Sequence, residues 1–91
     1  MTEMRRWTVD IYIDEHTDER LTHAEARLHT NDDTHLIGKG ASHRHPADAE
    51  VAEIGDELAV ARALSDLSHQ LLHAAASDIE QITHQRAYLR R

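Results

Sequence analysis

EIGDELAVARALSDLSHQLLHAAA, running from Glu53 to Ala76, is the stretch on which the fold turns. At ~100° per residue, Ile54, Leu58, Ala61, Leu64, Ser68, Leu71, Leu72 and Ala75 share one side of a helix, widened by Val60 and Leu67. Glu53, Asp56, Arg62, Asp66, His69 and His73 take the other side or its margin. That division predicts an amphipathic helix over about residues 53–76, lying on a sheet with the apolar stripe inward. Glu53, Asp56 and Glu57 occupy the first turns, where the helix dipole favours negative charge. Gly55 costs about 1 kcal/mol against alanine, and points to close packing.

Upstream, the period changes from helical to alternating. Trp7, Val9, Ile11 and Ile13 face one way while Thr8, Asp10, Tyr12 and Asp14 face the other, so about residues 7–15 form a half-buried strand. Trp7 is expected at the edge of the core. After the polar turn at 16–19, Thr22, Ala24, Ala26 and Leu28 alternate with His23, Glu25, Arg27 and His29, a second strand over about 20–30. Its small inward side chains leave room for a helix, and Asp10 or Asp14 is expected opposite Arg27. Asn31-Asp32-Asp33 signals a turn. A third strand follows over about 34–42, where Gly38 and Gly40 indicate a bulge, a strong twist or a close backbone approach. Gly38-Lys39-Gly40 is not a phosphate cradle, because no helix opens directly from it and residues 43–52, with the only proline, Pro46, intervene. Ser77-Asp78-Ile79-Glu80 matches a capping box, predicting a separate short helix over about 78–84. The fold class is therefore α+β in one domain: a three-stranded antiparallel meander, a long amphipathic helix and a short C-terminal helix.

Ninety-one residues support only a marginal core, which dimerisation would reinforce. Without cysteine there are neither disulfides nor thiolate metal sites, and a reducing, cytoplasmic setting is expected. The N-terminal residues lack the apolar centre of a signal peptide, and no apolar run reaches membrane-spanning length. Seventeen acidic and ten basic residues give a formal charge of −7, which opposes bulk attraction to nucleic acid. Nine histidines qualify this: protonating all of them takes the formal charge to +2.

Three groupings bear on chemistry. His69 and His73, one turn apart with Asp66 a turn earlier, have metal-ligand spacing, and His43 and His45 would complete a donor set if their loop folded back. The bland alternative is a solvated helix face. Asp10, Asp14 and Glu25 share a strand face, but an open face does not raise a carboxyl into general-acid range. Ser42, Ser65, Ser68 and Ser77 lie in no nucleophile-elbow pattern, so neither catalysis nor a cofactor is expected. Basic residues gather at Arg5 and Arg6, at Lys39 and Arg44, and at Arg86, Arg90 and Arg91, and would form a phosphate-binding patch if folded together. No run of aromatic side chains accompanies them.

WTVDIYIDEH from Trp7, Thr22 to Leu28, Gly38-x-Gly40, Pro46-Ala47-Asp48, EIGDELAVARALSDL, Asp78-Ile79-Glu80 and Thr83-His84-Gln85 together resemble the small actinobacterial proteins of domain-of-unknown-function family 1876. The resemblance covers residues 7–85. It implies a sheet backed by a helix, assembled as an intertwined homodimer. It also implies a non-enzymatic role in stress or dormancy, similar to that of ribosome hibernation factors. On that reading Arg5, Arg6, Arg27, Lys39, Arg44 and Arg86 are the candidates for contact with ribosomal RNA. The loop Ala41 to Asp48 is richer in histidine than the family pattern, so no role is carried over to it. The alternatives are a histidine-rich metal- or pH-responsive binding module, and a dimeric module whose paired helices receive a partner peptide.

Overall fold

The computed structural model describes residues 2–31, 35–44 and 52–89. Three strands, β1 (Thr8–His16), β2 (Leu21–His29) and β3 (Ile37–His43), form one antiparallel sheet in the order β1-β2-β3 and precede a helix, α1 (Ala52–Thr83). The alternation read from the sequence shows as burial in β2, whereas every residue of β1 is exposed and the half-buried strand expected there is corrected, because the helix does not cover it. Thr22, Ala24, Ala26 and Leu28 are buried beneath the helix, while His23 and His29 point to the open face. The β1-β2 turn is a single 3-10 turn (Thr17–Glu19) closed by Arg20 in the left-handed conformation (φ 54°), the geometry that lets a short loop match the twist of its strands. Asp32 and Asp33 of the expected turn and most of the loop before α1, including His45 and Pro46, fall outside the described residues.

The glycines of β3 mark a close approach, one of the three readings their position allowed. Built on Gly38, a Cβ would fall on the Ala63 carbonyl oxygen and lie 2.7 Å from the Leu67 Cβ. On Gly40 it would strike the backbone of Ala59, Arg62 and Ala63. Backbone therefore rests almost directly on backbone, and only a small-residue helix face fits there. Ala59, Ala63 and Leu67 supply that face and form the core with Ala24, Ala26 and Leu28. Gly55 continues it, 3.3 Å from Thr22 Oγ1 at the built Cβ, and Ser42 Oγ donates to the Gly55 carbonyl at 2.8 Å.

This packing corrects the expected inward stripe. Ile54, Leu58, Ala61, Leu64, Ser68 and Ala75 are exposed and Leu72 is half-buried; of the expected stripe Leu71 packs against the core, together with the flanking Leu67 and Val60. The physical reason is the sheet: with Gly38 and Gly40 bare, the helix gains more contact by seating its alanines than by standing off on leucines. Arg62 and Asp66, expected on the solvated side, instead lean over the outer edge of β3. Arg62 Nη1 donates to the Ala41 carbonyl (2.7 Å), the Lys39 N–H donates to Asp66 Oδ2 (2.8 Å), and Gln70 Nε2 donates to the Ile37 carbonyl (2.8 Å). Side chains thus satisfy backbone groups that an edge strand leaves free.

The expected short C-terminal helix is a further correction. α1 runs unbroken through Ser77 to Thr83, because neither glycine nor proline interrupts it after Gly55 and a serine leaves the helical conformation only where the backbone already turns. It ends where His84 adopts φ 58° and donates its N–H to the Glu80 carbonyl (2.8 Å), an αL cap. Ala87 N–H then donates to Glu80 Oε1 (2.9 Å), folding the tail back along the helix.

Candidate functional site

The two sides of the sheet differ in character. A helix is ~10 Å across and strands are ~4.8 Å apart, so one helix covers about two strands. α1 sits on β2 and β3 and barely touches β1. The inward side of β1 is consequently bare: Trp7 is 53% exposed, Val9 40%, Ile11 39% and Ile13 47%. Trp7 reaches Leu64, Leu67, Ser68, Leu71, Leu72 and Ala75 across an open groove of about 470 Å³. The groove lies between Trp7, just before β1, and the flank of α1, and among the described residues no charged side chain lines it. Trp7 therefore rims this groove and does not close a finished core.

The other side of the sheet is polar. Asp10, Tyr12, Asp14 and His16 of β1 stand beside Arg27, Glu25, His23 and Leu21 of β2, and Lys39, Ala41 and His43 of β3 continue the rows. Register puts Asp10 opposite Arg27, as the charge pattern suggested, yet the guanidinium turns along its own strand to Glu25 Oε2 (2.9 and 3.1 Å). There it also lies 4.1 Å above the Tyr12 ring. The Glu25 hydrogen bond holds the Arg27 pKa above the ordinary arginine value. Asp10 pairs with His29 (2.9 Å) and Asp14 with His16 (3.2 Å), whose ring is edge-on to His23. Asp10, Asp14 and Glu25 share a face as expected, each with a partner of potential positive charge.

The candidate cations are only partly gathered. Arg27 and Lys39 flank Glu25 on neighbouring strands. Arg5, at 3.5 Å from Glu3, and Arg6 lie in the exposed lead-in to β1. Arg44 lies just beyond the opposite end of β3, where its N–H donates to the Arg20 carbonyl (2.9 Å). Arg86 belongs to the tail, with Nη1 donating to Tyr88 Oη (2.9 Å). Tyr12 was passed over in the sequence because a single aromatic on a polar face carries no pattern; its meeting with Arg27 comes from strand pairing. The suggested metal donors are not assembled. Asp66 is turned to β3, His43 points to the face of the sheet opposite the helix, and His69 Nδ1 meets the Ser65 carbonyl (3.1 Å). Among the described residues no three histidine or carboxylate groups are arranged to hold a metal ion. No described helix is long and apolar enough to cross a membrane.

A family model described as Rv2632c-like matches residues 5–88. The uncharacterized protein Mb1767 of Mycobacterium bovis is 54% identical over 86 residues, covering 94% of this chain and 88% of that protein. The uncharacterized protein Rv2632c of Mycobacterium tuberculosis is 53% identical over 77 residues, covering 85% and 80%. The crystal structure of Rv2632c superposes with a TM-score of 0.82 at 45% identity, over 92% of this chain and 96% of that one.

Proposed function

This chain belongs to the Rv2632c-like family, and from the small core and uncovered faces of its fold we propose that it is a non-enzymatic binding protein that works as a homodimer. The observation that carries this reading is the disposition of its apolar side chains. Among the described residues six make up the buried core, four of them alanine, while Trp7, Val9, Ile11, Ile13, Ile54, Leu58 and Leu64 remain exposed. Apolar patches of this extent on a small soluble domain mark an interaction surface. Self-association uses these surfaces and leaves the polar face of the sheet for another partner. Light scattering tests it: a mass twice the 10.4 kDa of the chain at micromolar concentration is the expected result. A single 10.4 kDa species at every concentration refutes it.

A second reading is docking of that face on the ribosome or its RNA in stress or dormancy, and one observation supports the docking. Tyr12, Arg27 and Lys39 are neighbours there among four histidines. Asp10, Asp14 and Glu25 against Arg27 and Lys39 leave a formal −1, which becomes +3 when His16, His23, His29 and His43 are protonated. Co-sedimentation with ribosomes at two salt concentrations, at pH 6.5 and 7.5, is the test. Binding that strengthens at the lower pH and weakens with salt supports this reading, and absence of binding in all four conditions removes it.

A further inference from the structure

The helix presents more apolar surface than its own sheet uses. Gly55, Ala59, Ala63, Asp66 and Gln70 face the sheet or its edge. At ~100° per residue, Val60, Leu71, Leu64, Ala75, Ala61, Leu72 and Ile54 then fill a second arc about 120° wide, from the flank beside β1 to the back of the helix. Along the flank, Val60, Leu64, Leu67, Leu71 and Ala74 recur at alternating intervals of four and three, the spacing of a seam against a neighbouring helix, with Leu67 shared with the chain's own core. The back carries Ile54, Ala61 and Leu72, fit for an apolar sheet face. An arc this broad calls for two further partners, a helix and a sheet. The chain itself carries one of each with matching apolar surface.

We propose that a second copy of this chain lays its α1 over β1, beside the first α1, so that two parallel helices are held between two three-stranded sheets. Each helix then meets its own β2 and β3 on one side, the partner helix on its flank, and the partner's β1 on its back. The inference rests on the homodimer reading and specifies its geometry. The dimensions agree: neighbouring helices pack 8–10 Å apart, about two strand spacings, so a helix beside α1 falls over β1. The area agrees too. Trp7, Val9, Ile11, Ile13, Ile54, Leu64 and Ile79, exposed at about 80 Å² each, together with the half-buried Leu71 and Leu72 reach the low end of the ~600–1,000 Å² per partner of a standard interface. The groove is uncharged, so an occupant with an apolar helix face leaves no charge stranded. Pairing the two β1 edges into a six-stranded sheet would hold the helices roughly 20 Å apart, about four strand spacings, and leave both grooves open.

The two-fold axis runs along the strands, so residues keep their level across it. Ile13 pairs with Ala24, Ala24 with Gly40, and Gly40 lies under Ala59 and Ala63. Ile13 of one copy therefore lies level with Ala61, on the back of the other copy's helix. Because the chain has no cysteine, Ile13→Cys with Ala61→Cys is a clean probe. Mild oxidation is expected to convert most of the protein to a reducible species of doubled mass on a non-reducing gel. The control pair Tyr12→Cys with Ala61→Cys, whose first member is on the open face, is expected to stay monomeric there. A protein that is dimeric by light scattering but gives no Ile13-Ala61 cross-link overturns this arrangement and leaves the homodimer reading standing. A monomer by light scattering defeats both. The unmodified protein supplies a second readout that does not depend on variants folding. Trp7 sits in the buried seam of the dimer, so its emission should shift to the red on dilution through dissociation, and an unchanged emission across that transition overturns the arrangement.

Discussion

Replacing Gly38 by alanine tests the contact on which the whole packing rests. No glycine in the described structure has a positive φ, so the substitution costs space and not backbone conformation. The new methyl would meet the Ala63 carbonyl oxygen, the Leu67 N–H nitrogen at 2.6 Å and the Leu67 Cβ at 2.7 Å, two of the three being backbone atoms that cannot rotate away. The helix must move off by roughly 1 Å, an overpacking cost of about 1–3 kcal/mol. The same shift stretches the Lys39 N–H to Asp66 bond and the Gln70 to Ile37 carbonyl bond, each worth about 1 kcal/mol. A loss of about 3–4 kcal/mol follows, much of the stability of a domain this small. The assay is urea unfolding followed by far-UV circular dichroism at one fixed protein concentration, because association couples to stability. With a slope near 1 kcal/mol per molar urea, the midpoint should fall by about 3 M. Gly55→Ala is the internal control. Its methyl meets only side-chain oxygens at 3.3 and 3.5 Å, and it gains about 1 kcal/mol of helix propensity, so it should be neutral or stabilising. A Gly38→Ala midpoint within about 0.5 M of the parent would refute the close approach as the organising contact.

Three further expectations follow from particular contacts. Asp78→Pro discriminates one helix from two: at the first position of a separate helix proline is welcome, whereas inside a continuous α1 it costs about 3 kcal/mol and should lower the helical signal. Asp66→Ala removes the acceptor of the Lys39 N–H and a partner of Gln70, and should cost about 1–2 kcal/mol in the same urea assay, while Asp56→Ala, with no such contact to β3, should cost less. Lys39→Glu should weaken any ribosome co-sedimentation and flatten its salt dependence while leaving the unfolding midpoint nearly unchanged; equal binding by the variant would take Lys39 out of the interface.

Much of the fold was legible because it follows from local periods. Alternation in Trp7 to Asp14 and Thr22 to His29 fixes which side chains share a face, and a strand offers only two faces. The helix was legible from the length of its repeat. Its end was not: Ser77 and Glu80 have capping-box spacing, yet a capping residue acts only where the chain leaves the helix, and nothing before Thr83 makes it do so. The polar face was half legible. Its residues could be named from alternation, but the choice of Arg27 for Glu25 and Tyr12 over Asp10 depends on side-chain reach across a register the sequence does not print.

By itself, the sequence determined that this protein is a three-stranded meander followed by a long helix, with an apolar side to each element. Only the tertiary structure decided which side of the helix meets the sheet. Apolar periodicity measures how much surface a helix must bury, without saying against what. That choice came from Gly38 and Gly40, about twenty residues away, whose missing side chains admit Ala59 and Ala63 at backbone contact and turn the larger apolar arc outward. Close packing rewards complementary shape as well as hydrophobicity, and shape complementarity belongs to the pair of surfaces, never to one stretch of chain.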